Sequence, residues 1–144
     1  MMKLIIFFIL LIFLSCEPNK KDLLKKTVAG NNHKFWVRQK RVNDGVTKSI
    51  YYFDTKNRWI VFTLDGNGRF NKYNGYDFIL IEEWNVLNDS IISIGKGEYK
   101  VISYNDSLLS FCNKINDGLL NLRPLPEKAL SSYVNILKQY NVYP

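Results

Sequence analysis

The stretch SIYYFDTKNRWIVFTL, Ser49 to Leu64, decides the architecture: two runs rich in aromatic and β-branched residues flank the turn formers Lys56-Asn57. Such residues suit a pleated surface, and a gap this short between two of these runs makes a hairpin. The same unit recurs in both directions. Turn formers stand at Asn43-Asp44-Gly45, Asp65-Gly66-Asn67-Gly68, Asn74-Gly75, Asn88-Asp89, Gly95-Lys96-Gly97, Asn105-Asp106 and Asn116-Asp117-Gly118. Spacing of roughly 8–12 residues between turn signals marks an antiparallel sandwich or barrel. Strands are expected at 35–42, 49–54, 58–64, 69–73, 76–86, 90–94, 97–104, 107–113 and 118–123. Their connections are too short for crossover helices, so neighbours pair as hairpins in up-and-down order. Eight or more such strands can close and remove their exposed edges. The expected fold is all-β: a small antiparallel up-and-down barrel over 31–125, with a two-sheet sandwich as the alternative that periodicity leaves open.

The two ends of the chain differ from this middle. After Pro124-Leu125-Pro126, the apolar positions Leu130, Tyr133, Val134 and Leu137 follow helical spacing, and Pro126 suits a helix start. One amphipathic helix is expected from about Pro126 to Tyr140 within a tail of 126–144, packed on the barrel wall or across an open end. At the other end, Lys3 precedes an unbroken apolar run from Leu4 to Leu14, followed by Ser15-Cys16. This run is shorter than the roughly 20 residues of a bilayer span, and its layout is that of a removable export signal over 1–15. Ordinary signal cleavage wants small residues first and third before the cut, yet Phe13 holds the third place. The run Phe13-Leu14-Ser15-Cys16 instead resembles the lipobox of bacterial lipoproteins, with Phe13 where an aliphatic residue is usual. That resemblance implies a diacylglycerol thioether on Cys16, cleavage that makes Cys16 the new N-terminus, and a place in the cell envelope on a bacterial membrane, the outer membrane first, on its periplasmic or surface side. Stable anchoring takes more than one acyl chain, each buried methylene contributing about 0.8 kcal/mol. Residues 16–30 then read as a polar tether and a short helical segment. Lys20, Lys21, Lys25 and Lys26 serve either as a solvated helix face or as an attraction to an anionic leaflet.

The formal charge of the 144-residue chain is +7, and removal of Lys3 with the signal lowers it by one to +6. Length and apolar content fit one domain. Basic residues interleaved with aromatics, as in Lys34-Phe35 and Arg69-Phe70, are also a mark of nucleic-acid binding, but export argues against that partner. Membrane surfaces, anionic glycans and acidic proteins are better placed to meet the charge. Of the two cysteines, acylation of Cys16 leaves Cys112 without an internal disulfide partner. Its setting in Leu108-Leu109-Ser110-Phe111-Cys112 reads as a buried, inert thiol.

From the short helix at Asp22 to Val28, through Lys34-Phe35-Trp36, to Asn121-Leu122-Arg123, the chain resembles the lipocalin-like lipoproteins of bacteria. The resemblance implies that Trp36 on the first strand seals one barrel end and that Arg123, late in the last strand, packs across it. Lys34 stands where that pattern has a glycine.

Motifs for catalysis or metal binding do not assemble. His33, the single histidine, sits beside Asn31 and Asn32 and reads as a surface loop residue. Asp65-Gly66-Asn67-Gly68 begins like a calcium loop but fails at Arg69, Phe70 and Tyr76, so it reads as a hairpin turn, as does Gly95-Lys96-Gly97. Glu82 and Glu83 are adjacent and point to opposite faces of a strand. The expectation is a non-enzymatic protein with no cofactor and no metal. Trp36, Tyr52, Trp59, Phe62, Phe78 and Trp84 are candidates to line or fill the barrel. Alternation along the first strand places Trp36, Arg38 and Lys40 on one face. An inward Trp36 brings Arg38 toward the lumen, which calls for an anionic ligand or a carboxylate such as Glu82, unless Arg38 stays at the solvated rim. Two functions follow. One is the binding of a small apolar, amphipathic or anionic ligand inside an open barrel. The other is an envelope protein-binding module, an inhibitor or immunity protein, that meets an acidic partner through Lys34, Arg38, Lys40 and Arg41.

Overall fold

The computed structural model describes residues 19–42, 45–64, 72–73, 76–77, 79–113, 115, 118–130 and 138. The proposed signal, Cys16 and Phe78 lie outside them. Helix α1 (Lys20–Ala29) comes first, followed by β1 (His33–Val42), β2 (Gly45–Asp54), β3 (Arg58–Leu64), β4 (Lys72–Tyr73), β5 (Tyr76–Asp77), β6 (Ile79–Val86), β7 (Ile91–Ile94), β8 (Gly97–Asn105), β9 (Leu108–Asn113) and β10 (Leu119–Pro124), then helix α2 (Glu127–Leu130). Eight of the strands close into a barrel in the order β1-β10-β9-β8-β7-β6-β3-β2, which excludes the sandwich. Every pairing is antiparallel, so the chain runs up and down as the short turns require.

Strand β4 pairs only with β5, in a separate two-stranded ribbon. The expected strand at 76–86 is therefore two, Tyr76–Asp77 in the ribbon and Ile79–Val86 in the barrel. Closure rests on a narrow seam between β1 and β10, where Trp36 faces Pro124 and Val37 faces Arg123, extended by the Leu125 N–H donating to the Phe35 carbonyl at 2.9 Å.

The barrel has two apolar cores. The inner one gathers Trp36, Phe53, Trp59, Val61, Trp84, Val86, Ile92, Ile94, Val101, Leu109, Phe111 and Leu122 from all eight barrel strands. Leu24, Val28 and Ala29 of α1 join it, so this helix plugs one barrel end. Asn19 caps its N-terminus, the side chain accepting from the Lys21 N–H at 3.0 Å. Its exit turns on Gly30, whose φ of 66° and ψ of −155° suit only glycine. Lys25 Nζ donates to Asn57 Oδ1 at 3.0 Å, which ties the plug to the β2–β3 turn.

The second core lies on the outer wall. Phe35, Ile50, Tyr52, Ile60, Phe62 and Leu64 are buried there, with Val37, Leu125 and Leu130 packed against them. Leu130 belongs to α2, so the start of the C-terminal helix sits on the wall rather than across an end. The other residues expected on that helix's apolar face, Tyr133, Val134 and Leu137, lie outside the described residues. Covering the wall corrects one sequence expectation: Tyr52 and Phe62 are buried, but they face away from the lumen. β3 is apolar on both faces, as strands covered on two sides are, so its sequence carries no alternation that tells inside from outside.

Candidate functional site

The β2–β3, β6–β7 and β8–β9 turns lie at the plugged end, and the β1–β2, β7–β8 and β9–β10 turns at the other. Between the plug and this second end, the described residues leave an open space. A cavity of about 430 Å³ is lined by Arg38, Ser49, Tyr51, Trp59, Val61, Thr63, Ile94, Tyr99, Phe111, Asn113, Gly118, Leu119 and Leu120. This volume lies within the range of about 300–1,000 Å³ that small-molecule sites occupy.

Strand register stacks the wall in layers. Arg38 faces Ser49, which faces Thr63, at the rim. One step down, Trp36 faces Tyr51, which faces Val61; below that Phe53 faces Trp59. Trp36, Phe53 and Trp84 are fully buried and close the floor. Ile94, Phe111 and Leu120 add apolar wall from the far side, and Tyr99 packs edge-on against Phe111 at 5.4 Å.

The polar groups of the mouth form one network. Arg38 donates to the Tyr51 hydroxyl, which also shares a hydrogen bond with Ser49, and Ser49 and Thr63 hydroxyls lie 3.2 Å apart. Burial pushes the Tyr51 phenol above its ordinary pKa, against the opposing pull of Arg38. Arg38 is half-buried, and among the described residues no carboxylate lies within ion-pair distance of it. Glu82, the carboxylate suggested by sequence, faces the interior beside Trp59 but folds over the β7–β8 turn. There its carboxyl group lies 2.6 Å from where a Cβ on Gly95 would stand.

Comparison with protein-family models, curated proteins and solved structures finds no match.

Trp36 does seal the barrel floor, fully buried, with its indole N–H donating to the Val28 carbonyl at 2.8 Å. Arg123 does not pack across it. The side chain is exposed and pairs in register with Val37, one step out of phase with Trp36. The cation over the indole is Lys34 instead, its Nζ 4.3 Å from the ring centroid, two residues before Trp36 on the same strand face. Lys34 thus supplies this contact. Trp84 is equally buried and donates to the Asp54 carbonyl at 3.0 Å. Trp59, at the base of the cavity, has no hydrogen-bond partner for its indole N–H among the described residues.

Three further expectations are corrected. His33 opens β1 rather than lying in a loop, stacked on Tyr52 at 5.7 Å and edge-on to Phe35. Cys112 is half-buried, its Sγ 3.6 Å from the Asn113 carbonyl. Lys34 and Arg38 do not join a strand-wide basic surface, because one bends over Trp36 at the plugged end and the other lines the open mouth. The side chains of Lys40 and Arg41 lie outside the described ones.

A larger cleft, about 650 Å³, runs outside the plug along Leu23, Lys26, Thr27, His33, Lys34, Tyr104 and Asp106. Its inner cation is engaged, with Lys34 Nζ donating to the Thr27 carbonyl at 3.3 Å and lying 3.9 Å from Asp106. Among the described residues no group of three His, Cys, Asp or Glu side chains is placed to hold a metal ion.

Proposed function

We propose that this protein is a lipid-anchored, lipocalin-like envelope lipoprotein that binds a small amphipathic molecule in the open end of its barrel, without catalysis. The observation that carries the reading is the cavity of about 430 Å³, apolar below and polar at its rim. A barrel that needed only a core would fill this space, since protein interiors otherwise pack to crystal-like density. The anchor reading rests on the resemblance of Phe13-Leu14-Ser15-Cys16 to a lipobox. The protein-binding alternative loses its main motivation once Lys34 and Arg38 part to opposite ends of the barrel.

Mass spectrometry of small molecules released from the full chain, extracted from its own membrane, tests the binding reading. A stoichiometric amphipathic species is expected. Recovery of none, together with failure of any added amphiphile to bind, would overturn it. Intact mass of the same sample tests the anchor: an unmodified Cys16 would remove it.

A further inference from the structure

Resting on that binding reading, we infer that the ligand is a single-chain carboxylate of medium length, with its head held by Arg38 and Tyr51 at the rim and its tail directed at Trp59. Charge sets the head. Arg38 is the one charged side chain among the described residues that line the cavity, and no described carboxylate neutralises it. A half-buried guanidinium at the mouth of a cavity walled by Val61, Ile94, Phe111 and Leu120 favours an anion, and its planar fork matches a carboxylate in two parallel hydrogen bonds. The Tyr51 hydroxyl, bonded to Arg38, stands beside that fork as a further donor. One cation balances one negative charge, which favours a carboxylate over a doubly ionised phosphate.

Depth sets the tail. The rim layer holds Thr63 and the base holds Trp59, four residues along the same strand, a rise of about 13 Å at roughly 3.3 Å per residue. Carbon–carbon bonds near 1.5 Å advance an extended alkyl chain about 1.3 Å per carbon, so about ten carbons reach the base. Beyond it, Trp36, Phe53 and Trp84 are fully buried and α1 closes the end. A longer tail has nowhere to continue.

The test uses the full chain in phosphatidylcholine vesicles, followed by intrinsic tryptophan fluorescence, with decanoate, decanol, decyl phosphate and hexadecanoate as probes. The acids are studied at a pH that ionises them. Each probe partitions into the same vesicles for every variant, so differences between variants report the cavity. Decanoate is expected to bind at least tenfold more tightly than decanol, and more tightly than decyl phosphate or hexadecanoate. Arg38→Gln should bring decanoate down to the level of decanol, and Tyr51→Phe should produce a smaller loss of the same kind. Decanol binding the unaltered chain as well as decanoate would overturn the carboxylate head, as would a preference for decanoate that survives Arg38→Gln. Tighter binding of decyl phosphate would assign the site to phosphate, and tighter binding of hexadecanoate would remove the length limit. These outcomes leave the cavity reading standing. Failure of all four probes to bind would instead sink the cavity reading itself. Circular dichroism of each variant confirms that it has folded.

Discussion

The three tryptophans of the interior differ in one atom's fate. Trp36 and Trp84 donate their indole N–H groups to the carbonyls of Val28 and Asp54, whereas that of Trp59 has no described partner. A buried acceptor robbed of its donor costs about 1–3 kcal/mol, while removing an unpaired polar group is nearly neutral. Urea denaturation should therefore find Trp59→Phe at least about 1 kcal/mol less damaging than Trp36→Phe or Trp84→Phe, since all three lose the same ring volume. Asp54 makes the opposite case. Its buried carboxylate accepts from the Arg58 N–H at 2.8 Å, from Arg58 Nε at 3.1 Å and from the Tyr52 hydroxyl at 3.2 Å. Asp54→Ala strands several donors at once, and a loss of about 2–4 kcal/mol is expected by the same measurement.

Alkaline titration probes the two tyrosines. Burial is the first cause that raises the pKa of both Tyr51 and Tyr52, so the folded state holds their protons to higher pH than the unfolded chain does. Their contribution to stability is intact below the ordinary phenol value of 10.0 and falls as pH climbs from there through the raised folded values. Phenolate absorbance should lag in the folded protein relative to the protein in urea, and Tyr51→Phe should remove part of the lag. Coincident curves would contradict this account of burial.

At the scale of elements, most strands were legible in sequence because turn chemistry brackets them: Lys56-Asn57 ends β2, and Asn57 adopts the left-handed φ of 66° that such a turn uses. The plug was not. Leu24 and Val28 show only that a short helix has one apolar side, and nothing local says that this side enters a barrel mouth rather than lying on a wall. The inside-outside assignment of β3 was hidden for a related reason, since Ile60-Val61-Phe62 is apolar without interruption. Parity from Trp36, by contrast, left Arg38 open between the lumen and the solvated rim, and its side chain lines the mouth. Two glycines at opposite ends of the barrel make a further contrast. At Gly30, a Cβ would meet the His33 carbonyl at 3.1 Å in a backbone conformation reserved for glycine; at Gly95, φ is 54° and the obstacle is the movable Glu82 carboxyl. Gly30→Ala is expected to cost about 1–3 kcal/mol and Gly95→Ala about 1 kcal/mol, compared by thermal unfolding. Equal losses would mean that the α1 exit is not held as described.

For the whole molecule, the division between a filled half and an open half predicts different tolerances. Leu24→Ala empties packed space under the plug and should cost about 2–5 kcal/mol. Val61→Phe enlarges a residue that borders the cavity, so stability should change by less than about 1.5 kcal/mol while decanoate binding is lost. Calorimetry with and without decanoate reads both quantities. An overpacked Val61→Phe chain that unfolds as easily as Leu24→Ala would show that the cavity is not space the fold can spare.

Helix α1 also gives the molecule a direction. On a chain tethered through Cys16, the stoppered end sits nearest the lipid and the opening looks away from it, like a cup standing on its base. Cargo leaving the bilayer beside such a cup has to travel through water before it reaches the lip, so delivery would favour molecules soluble enough to make that crossing alone. A barrel anchored in that way would collect from the aqueous side, and whatever it handed on would leave by the same route.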